Sequence, residues 1–194
     1  MTGIQVVDLT AVAPQPWRNG GGQTRELLAW PPGSGSGWLV RVSVADIDRD
    51  GPFSAFPGVQ RWFAVLEGAG VVLGLDGTDH PLTTASAPFG FDGAAAPACR
   101  LIDGPTRDLN LMVRQEAGPA RMSSAVAGQA APAPARWCGL YAATAAVLAT
   151  PDGPLRLPAG SLAWGDAGMP SCRLEAAAEA PALCAWWLVL HTHA

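Results

Sequence analysis

In "WLVRVSVA", residues 38–45, Trp38, Val40, Val42 and Val44 alternate with Leu39, Arg41, Ser43 and Ala45. A side-chain period of two with β-branched enrichment specifies a strand, because successive Cβ atoms point to opposite faces of a sheet. Similar short runs occur at 61–66, 70–75, 109–113, 155–157 and 185–191, separated by clusters of Gly, Pro and Asp. Many short strands at close spacing suggest a sandwich or barrel and argue against a β-α-β sheet. Helical signals are slight. "TRELLAW" (24–30) is too short to assign, and residues 141–149 are Ala-rich but run into β-branched residues.

A chain of 194 residues can form one domain or two small ones, and 49% hydrophobic against 14% charged residues describes a packed core. The net charge is −4, and the twelve basic residues are all arginines with no cluster among them. Nucleic-acid binding needs a concentrated basic surface, so that partner is not expected. Without lysine there is neither a lysine Schiff base nor the GK[ST] of a phosphate loop. Residues 1–10 lack the pattern of a secretory signal, and the longest apolar run, 182–190, is far short of the ~20 residues that span a bilayer. The expectation is a cytoplasmic protein with no membrane partner. Cys99, Cys138, Cys172 and Cys184 are widely spaced among apolar or small neighbours, which predicts buried, reduced thiols.

Residues 117–135, "AGPARMSSAVAGQAAPAPA", are small, Pro-containing and almost uncharged, so they read as a linker. The expected organisation is an N-terminal unit at 1–116, a connecting segment at 117–135 and a second unit at 136–194. Residues 71–93 and 146–166 both give an apolar pair, a DG turn, a Leu-bearing strand and an aromatic-Gly end. They are either two related β units or two ordinary hairpins.

"PWRNGGGQTREL" (16–27) is the most unusual segment. Three consecutive glycines flanked by Asn19, Gln23 and Thr24 make either a concave nest of N–H groups for an anion or a tight connection between strands. Together with "RVSVADIDRDGPFSAFPGVQRWFAVLEGAG" (41–70) and "GPTRDLNLMVR" (104–114), this segment resembles the HutD/Ves family across residues 16–114. The resemblance implies an all-β, cupin-like (RmlC-like) barrel or jelly roll in a bicupin arrangement of two barrel halves. It also implies an association with bacterial histidine utilisation and a regulatory or metabolite-binding role, with no catalytic activity established for the family.

Metal-binding cupins carry histidines and a glutamate in their first motif. Here Arg61 stands about where that glutamate would sit, and residues 57–60 supply no histidine. A guanidinium without imidazoles is a poor seat for a divalent ion, so no metal and no cofactor are expected. Arg61 shares a strand face with Phe63 and Val65, which points it inward and requires a partner for its charge. Asp108, Glu26 or Asp92 could provide one within the protein, or a ligand carboxylate could be held bidentately. Asp108 and Asn110 alternate with Leu109 and Leu111 and share a face, either lining the same pocket or lying on a solvated edge strand. Arg41 and Ser43 carry the same ambiguity, and Ser54 reads as a turn residue.

The preferred reading is non-catalytic binding of a small carboxylate metabolite such as urocanate or formylglutamate, in a regulatory role. Arg61, Asn19, Gly20, Gly21, Thr24, Asp108 and Asn110 would form its site, and a homodimer is open to such a protein. The alternative is a metal-independent isomerase or hydrolase using Asp108 or Glu26 as base. His191 and His193 form a terminal H-x-H with no third ligand nearby in sequence, and no hydrolase motif is present.

Overall fold

The structure is a computed structural model that describes residues 3–177 and 182–192. In chain order its strands are β1 (Gln5–Asp8), β2 (Gln15–Pro16), β3 (Gly22–Trp30), β4 (Val40–Ile47), β5 (Gly51–Pro52) and β6 (Val59–Glu67). There follow β7 (Val71–Leu75), β8 (Thr78–Leu82), β9 (Phe89–Asp92), β10 (Ala98–Leu101), β11 (Thr106–Arg114) and β12 (Ala120–Ser124). The last six are β13 (Trp137–Ala142), β14 (Ala146–Thr150), β15 (Gly153–Leu157), β16 (Ser161–Gly165), β17 (Arg173–Ala176) and β18 (Ala185–Leu190). Short 3-10 turns are the only helical elements among the described residues, and none of them is long and apolar enough to cross a membrane. The expected all-β class is what the chain adopts.

The chain divides into two compact units, one of Val12–Ala117 and one of Met1–Ala11 with Gly118–Ala194. These boundaries correct the expected division at 116 and 135 in two places. Residues 5–8 pair with β16 of the later unit, Val6 opposite Ala163. The expected linker contributes β12, whose Met122 is buried and lies opposite Leu188 of β18. Alternating Ala120 and Met122 supply enough apolar surface for one sheet edge, which a composition average over 117–135 conceals.

In the Val12–Ala117 unit a six-stranded antiparallel sheet, ordered β2-β3-β4-β11-β6-β9, packs on a four-stranded sheet ordered β5-β10-β7-β8. Ile47, Phe63 and Val65 from the larger sheet meet Val71, Leu73, Leu75, Leu82 and Cys99 from the smaller one. Register decides what else faces inward. Arg61 lies opposite Met112, which lies opposite Arg41, while Asn110 lies between Ser43 and Phe63. With a period of two, the β6 residues Arg61, Phe63 and Val65 therefore share the inner face with Asp108, Asn110 and Met112 of β11. The face is apolar around Phe63 and Val65 and becomes polar toward Arg61.

The second unit has a five-stranded sheet, β1-β16-β13-β18-β12, and a three-stranded sheet, β15-β14-β17. Its core gathers Cys138, Leu140, Leu148, Leu157, Leu174, Trp187 and Val189.

Candidate functional site

A cavity of about 430 Å³ opens in the Val12–Ala117 unit. Its wall combines Arg41, Ser43, Ala45 and Ile47 of β4, Arg61 of β6, and Asn110 and Met112 of β11. Pro16 to Asn19 and Thr24 close one side, and Pro52, Phe53, Ser54 and Phe56 another.

Arg61 is only 7% exposed. Its Nη2 donates to Asn110 Oδ1 at 2.9 Å, and its Nε is buried without a hydrogen-bond partner. The guanidinium carbon lies 4.9 Å from the Phe53 ring centre, 5.2 Å from Phe91 and 5.8 Å from Phe56. The negative faces of three rings replace part of the lost hydration of the cation. No carboxylate pairs with it among the described residues. Burial, with a smaller contribution from Arg41, brings its pKa down to about 10, so it is still charged at neutral pH.

Each internal partner offered by the sequence is engaged elsewhere. Glu26 holds Arg41 Nε, and Asp92 accepts from Ala94 N at 2.9 Å, capping a 3-10 turn. Asp108 is fully buried and accepts from Thr106 Oγ1 at 2.9 Å. Asp108 is not on the cavity wall, which corrects its assignment to the site: it shares the parity of Asn110 but lies one step deeper on β11, opposite Ala45 and Val65.

The glycine triplet is likewise a turn and not an anion nest. Gly20 N donates to Trp17 O at 3.0 Å and Gly21 N to Asn19 Oδ1 at 3.0 Å, while Gly22 O accepts from Trp17 N at 2.9 Å. The amides of Gly20 and Gly21 are spent inside the turn, and neither residue lines the cavity. The turn they form brings Trp17, Arg18 and Asn19 onto the cavity lining. Trp17 Nε1 donates to Thr24 Oγ1 at 2.7 Å, which fixes the indole against the wall. Asn19 and Thr24 do line the cavity, although Asn19 Oδ1 and the Thr24 hydroxyl are already used in these bonds.

The structure thus brings Arg61, Asn110, Asn19 and Thr24 together and adds residues that sequence reasoning ranked low or passed over. Arg41 and Ser43 lie in register with Met112 and Asn110, a relation that only strand pairing reveals. The aromatic cage around Arg61 comes from Phe53 and Phe56, within the quoted "GPFSAFPG", and from Phe91 on β9. Three phenylalanines converging on one arginine could not be told from an ordinary core.

A divalent metal of the kind cupins hold does not fit here. The wall offers three guanidiniums and no imidazole or carboxylate, so it would repel a cation and provide too few donors. Among the described residues no three His, Cys, Asp or Glu side chains gather as a metal site. His191 Nδ1 lies 3.4 Å from Pro134 O, and His193 falls outside the described residues.

A family model described as HutD matches residues 10–184. A 21.2 kDa protein of the hutC 3′ region of Pseudomonas putida is 38% identical over 123 residues, 63% of this chain and 64% of its own length. Protein Ves of Citrobacter koseri is 36% identical over 115 residues, 58% of this chain and 59% of its own length. The match therefore spans less than two thirds of these curated relatives. The structure of HutD from Pseudomonas fluorescens SBW25, described under a formate condition, superposes with a TM-score of 0.82 at 30% identity, covering 98% of this chain and 100% of that one. A cupin barrel protein from Leptotrichia buccalis, at 9% identity over 98% of this chain and 97% of its own, gives a TM-score of 0.58 and shows the fold alone.

Proposed function

Because the chain belongs to the HutD family, linked to the histidine-utilisation locus and built on the cupin fold, we propose that its cavity binds a small carboxylate metabolite without converting it. The observation that carries this reading is Arg61, a buried guanidinium on a cavity wall with one neutral hydrogen bond, three aromatic neighbours and no counter-ion. A buried charge without a partner costs several kcal/mol, and a bound carboxylate would supply the missing partner through two parallel N–H···O bonds. Asn110 orients the fork: its Oδ1 faces Nη2, which leaves its amide nitrogen as a donor toward the ligand.

Intermediates of histidine degradation, urocanate or formylglutamate, are the ligands that the family's locus suggests, and binding would serve to tune the pathway. A base for catalysis has no support in the wall, since Asp108 lies off it and Glu26 is tied to Arg41.

Titration calorimetry with urocanate and N-formylglutamate tests the proposal. Wild type should bind at least one of them, Arg61→Met should bind neither, and Arg61→Lys should recover little because an ammonium cannot reproduce the fork. Arg61→Met should also raise the melting temperature of the ligand-free protein, since it removes an uncompensated buried charge. Equal affinities for wild type and Arg61→Met would end the assignment.

A further inference from the structure

We infer that the cavity is built for a short dicarboxylate, with one carboxylate on Arg61 and the other on Arg18 of its lining; this rests on Arg61 as the anchor of the first. The wall carries Arg18, Arg41 and Arg61 and no acidic side chain. Arg41 is neutralised by Glu26. Arg61 is buried without a counter-ion, and Arg18, which is exposed, has no hydrogen bond or ion pair among the described residues. Two arginines of the cavity lining are therefore uncompensated, one buried and one exposed.

Arg18 is also placed with some definition. It sits between Trp17, pinned to Thr24 through Nε1, and Asn19, which caps Gly21 N, inside a turn closed by Gly20 N to Trp17 O. Holding the backbone this way lowers the ordering cost when the side chain swings onto a ligand. A monoacid would neutralise Arg61 and bring its neutral end toward Arg18, whereas a diacid answers both charges. The rest of the wall, with Trp17, Phe53, Phe56 and Met112, suits the methylene chain between them. A cavity of about 430 Å³ has room for several carbons.

The test is calorimetry with succinate, glutarate and adipate against butyrate, pentanoate and hexanoate on wild type, Arg18→Gln, Arg18→Glu and Arg61→Met. The best diacid should bind wild type on the order of twofold to fivefold more tightly than any of the monoacids, the upper part of the range for an exposed ion pair. That advantage should shrink with added salt. Arg18→Gln should bring the ratio of diacid to monoacid affinity close to one, and Arg18→Glu should reverse the preference. Equal binding of diacid and monoacid by wild type, or an advantage that survives Arg18→Gln, would overturn this inference while leaving the Arg61 anchor standing. Full-strength binding of either acid to Arg61→Met, or of none to wild type, would remove the anchor and this inference with it.

Discussion

Asp108 is fully buried and makes a single side-chain hydrogen bond, from Thr106, leaving Oδ1 without a partner. Burial drives its pKa up to about 8, with the Thr106 hydrogen bond opposing and the charge of Asp46 assisting. In the unfolded chain the same carboxyl ionises near ~4. Between those values the native state keeps a proton that the unfolded state has lost, so stability is greatest below about 4 and falls as pH rises toward about 8. Asp46 works in the opposite sense: despite its burial, hydrogen bonds from Arg107, Gln23 and Arg25 hold its pKa low. Its contribution cancels when wild type is compared with Asp108→Asn, which keeps the shape without the titration. The variant should gain on wild type steadily from pH 4 to pH 8 and be the more stable at pH 8 by about 2–5 kcal/mol. Denaturant melts across that range check it, and parallel curves would mean that the carboxyl titrates as it does in the unfolded chain. Parity within each strand was legible here, because alternation puts Asp108 with Asn110 on one face and Arg61 with Phe63 and Val65 on another strand's face; that the two are the same inner face follows only from the pairing of β11 with β6. Depth was not, since a period of two says nothing about how far along the strand the polar end begins.

Residues 20–22 show how a repeated letter can hold three different requirements. Gly20 has φ +67° in open space, so its constraint is backbone conformation. Gly21 could carry a Cβ 3.3 Å from the Asn19 side chain, which can adjust. At Gly22, where β3 begins against Ile47, a Cβ would fall 2.2 Å from Asp46 O, and that carbonyl is fixed by the sheet. Single alanine substitutions should therefore rank by position: little effect at 21, ~1 kcal/mol at 20, and about 3 kcal/mol at 22. Thermal melts of the three variants test the order, and a Gly22→Ala protein as stable as wild type would show that β3 and β4 can separate there. The same strand explains a gap in the sequence reading. "TRELLAW" lies in β3, but a register shift between Glu26 and Leu28 puts consecutive Leu27 and Leu28 out of water and destroys the alternation that reveals strands. Residues 141–149 misled for another reason. Ala142 and Ala146 are buried at the end of β13 and the start of β14, where small side chains serve close packing and not helix formation.

Within each unit the chain follows one path. The order β9-β6-β11-β4 in the Val12–Ala117 unit matches β16-β13-β18-β12 in the other, and the hairpin β7-β8 beside β10 matches β14-β15 beside β17. Residues 71–93 and 146–166, whose similarity was loose in sequence, accordingly hold the same three elements: a hairpin of the smaller sheet and then a strand of the larger that pairs with the strand preceding the hairpin, β9 with β6 and β16 with β13. Turn signals and apolar pairs survived in the letters, while the pairing of residues 5–8 with β16 left no local trace, because a strand's partner is set by distant sequence. The unit that carries the cavity contains one cysteine, Cys99, and the other contains Cys138, Cys172 and Cys184. Burial pushes Cys99 and Cys138 up to about 12, so both react only when their surroundings open. A ligand that occupies the cavity at a hundred times its Kd suppresses opening of that unit about a hundredfold. Iodoacetamide labelling in mild urea, with sites read by mass spectrometry, should thus slow at Cys99 by about that factor when the tightest-binding acid is added. Cys138 in the same sample measures how far the other unit opens with it, and labelling of Cys99 that ignores a saturating ligand would place the binding site outside this unit.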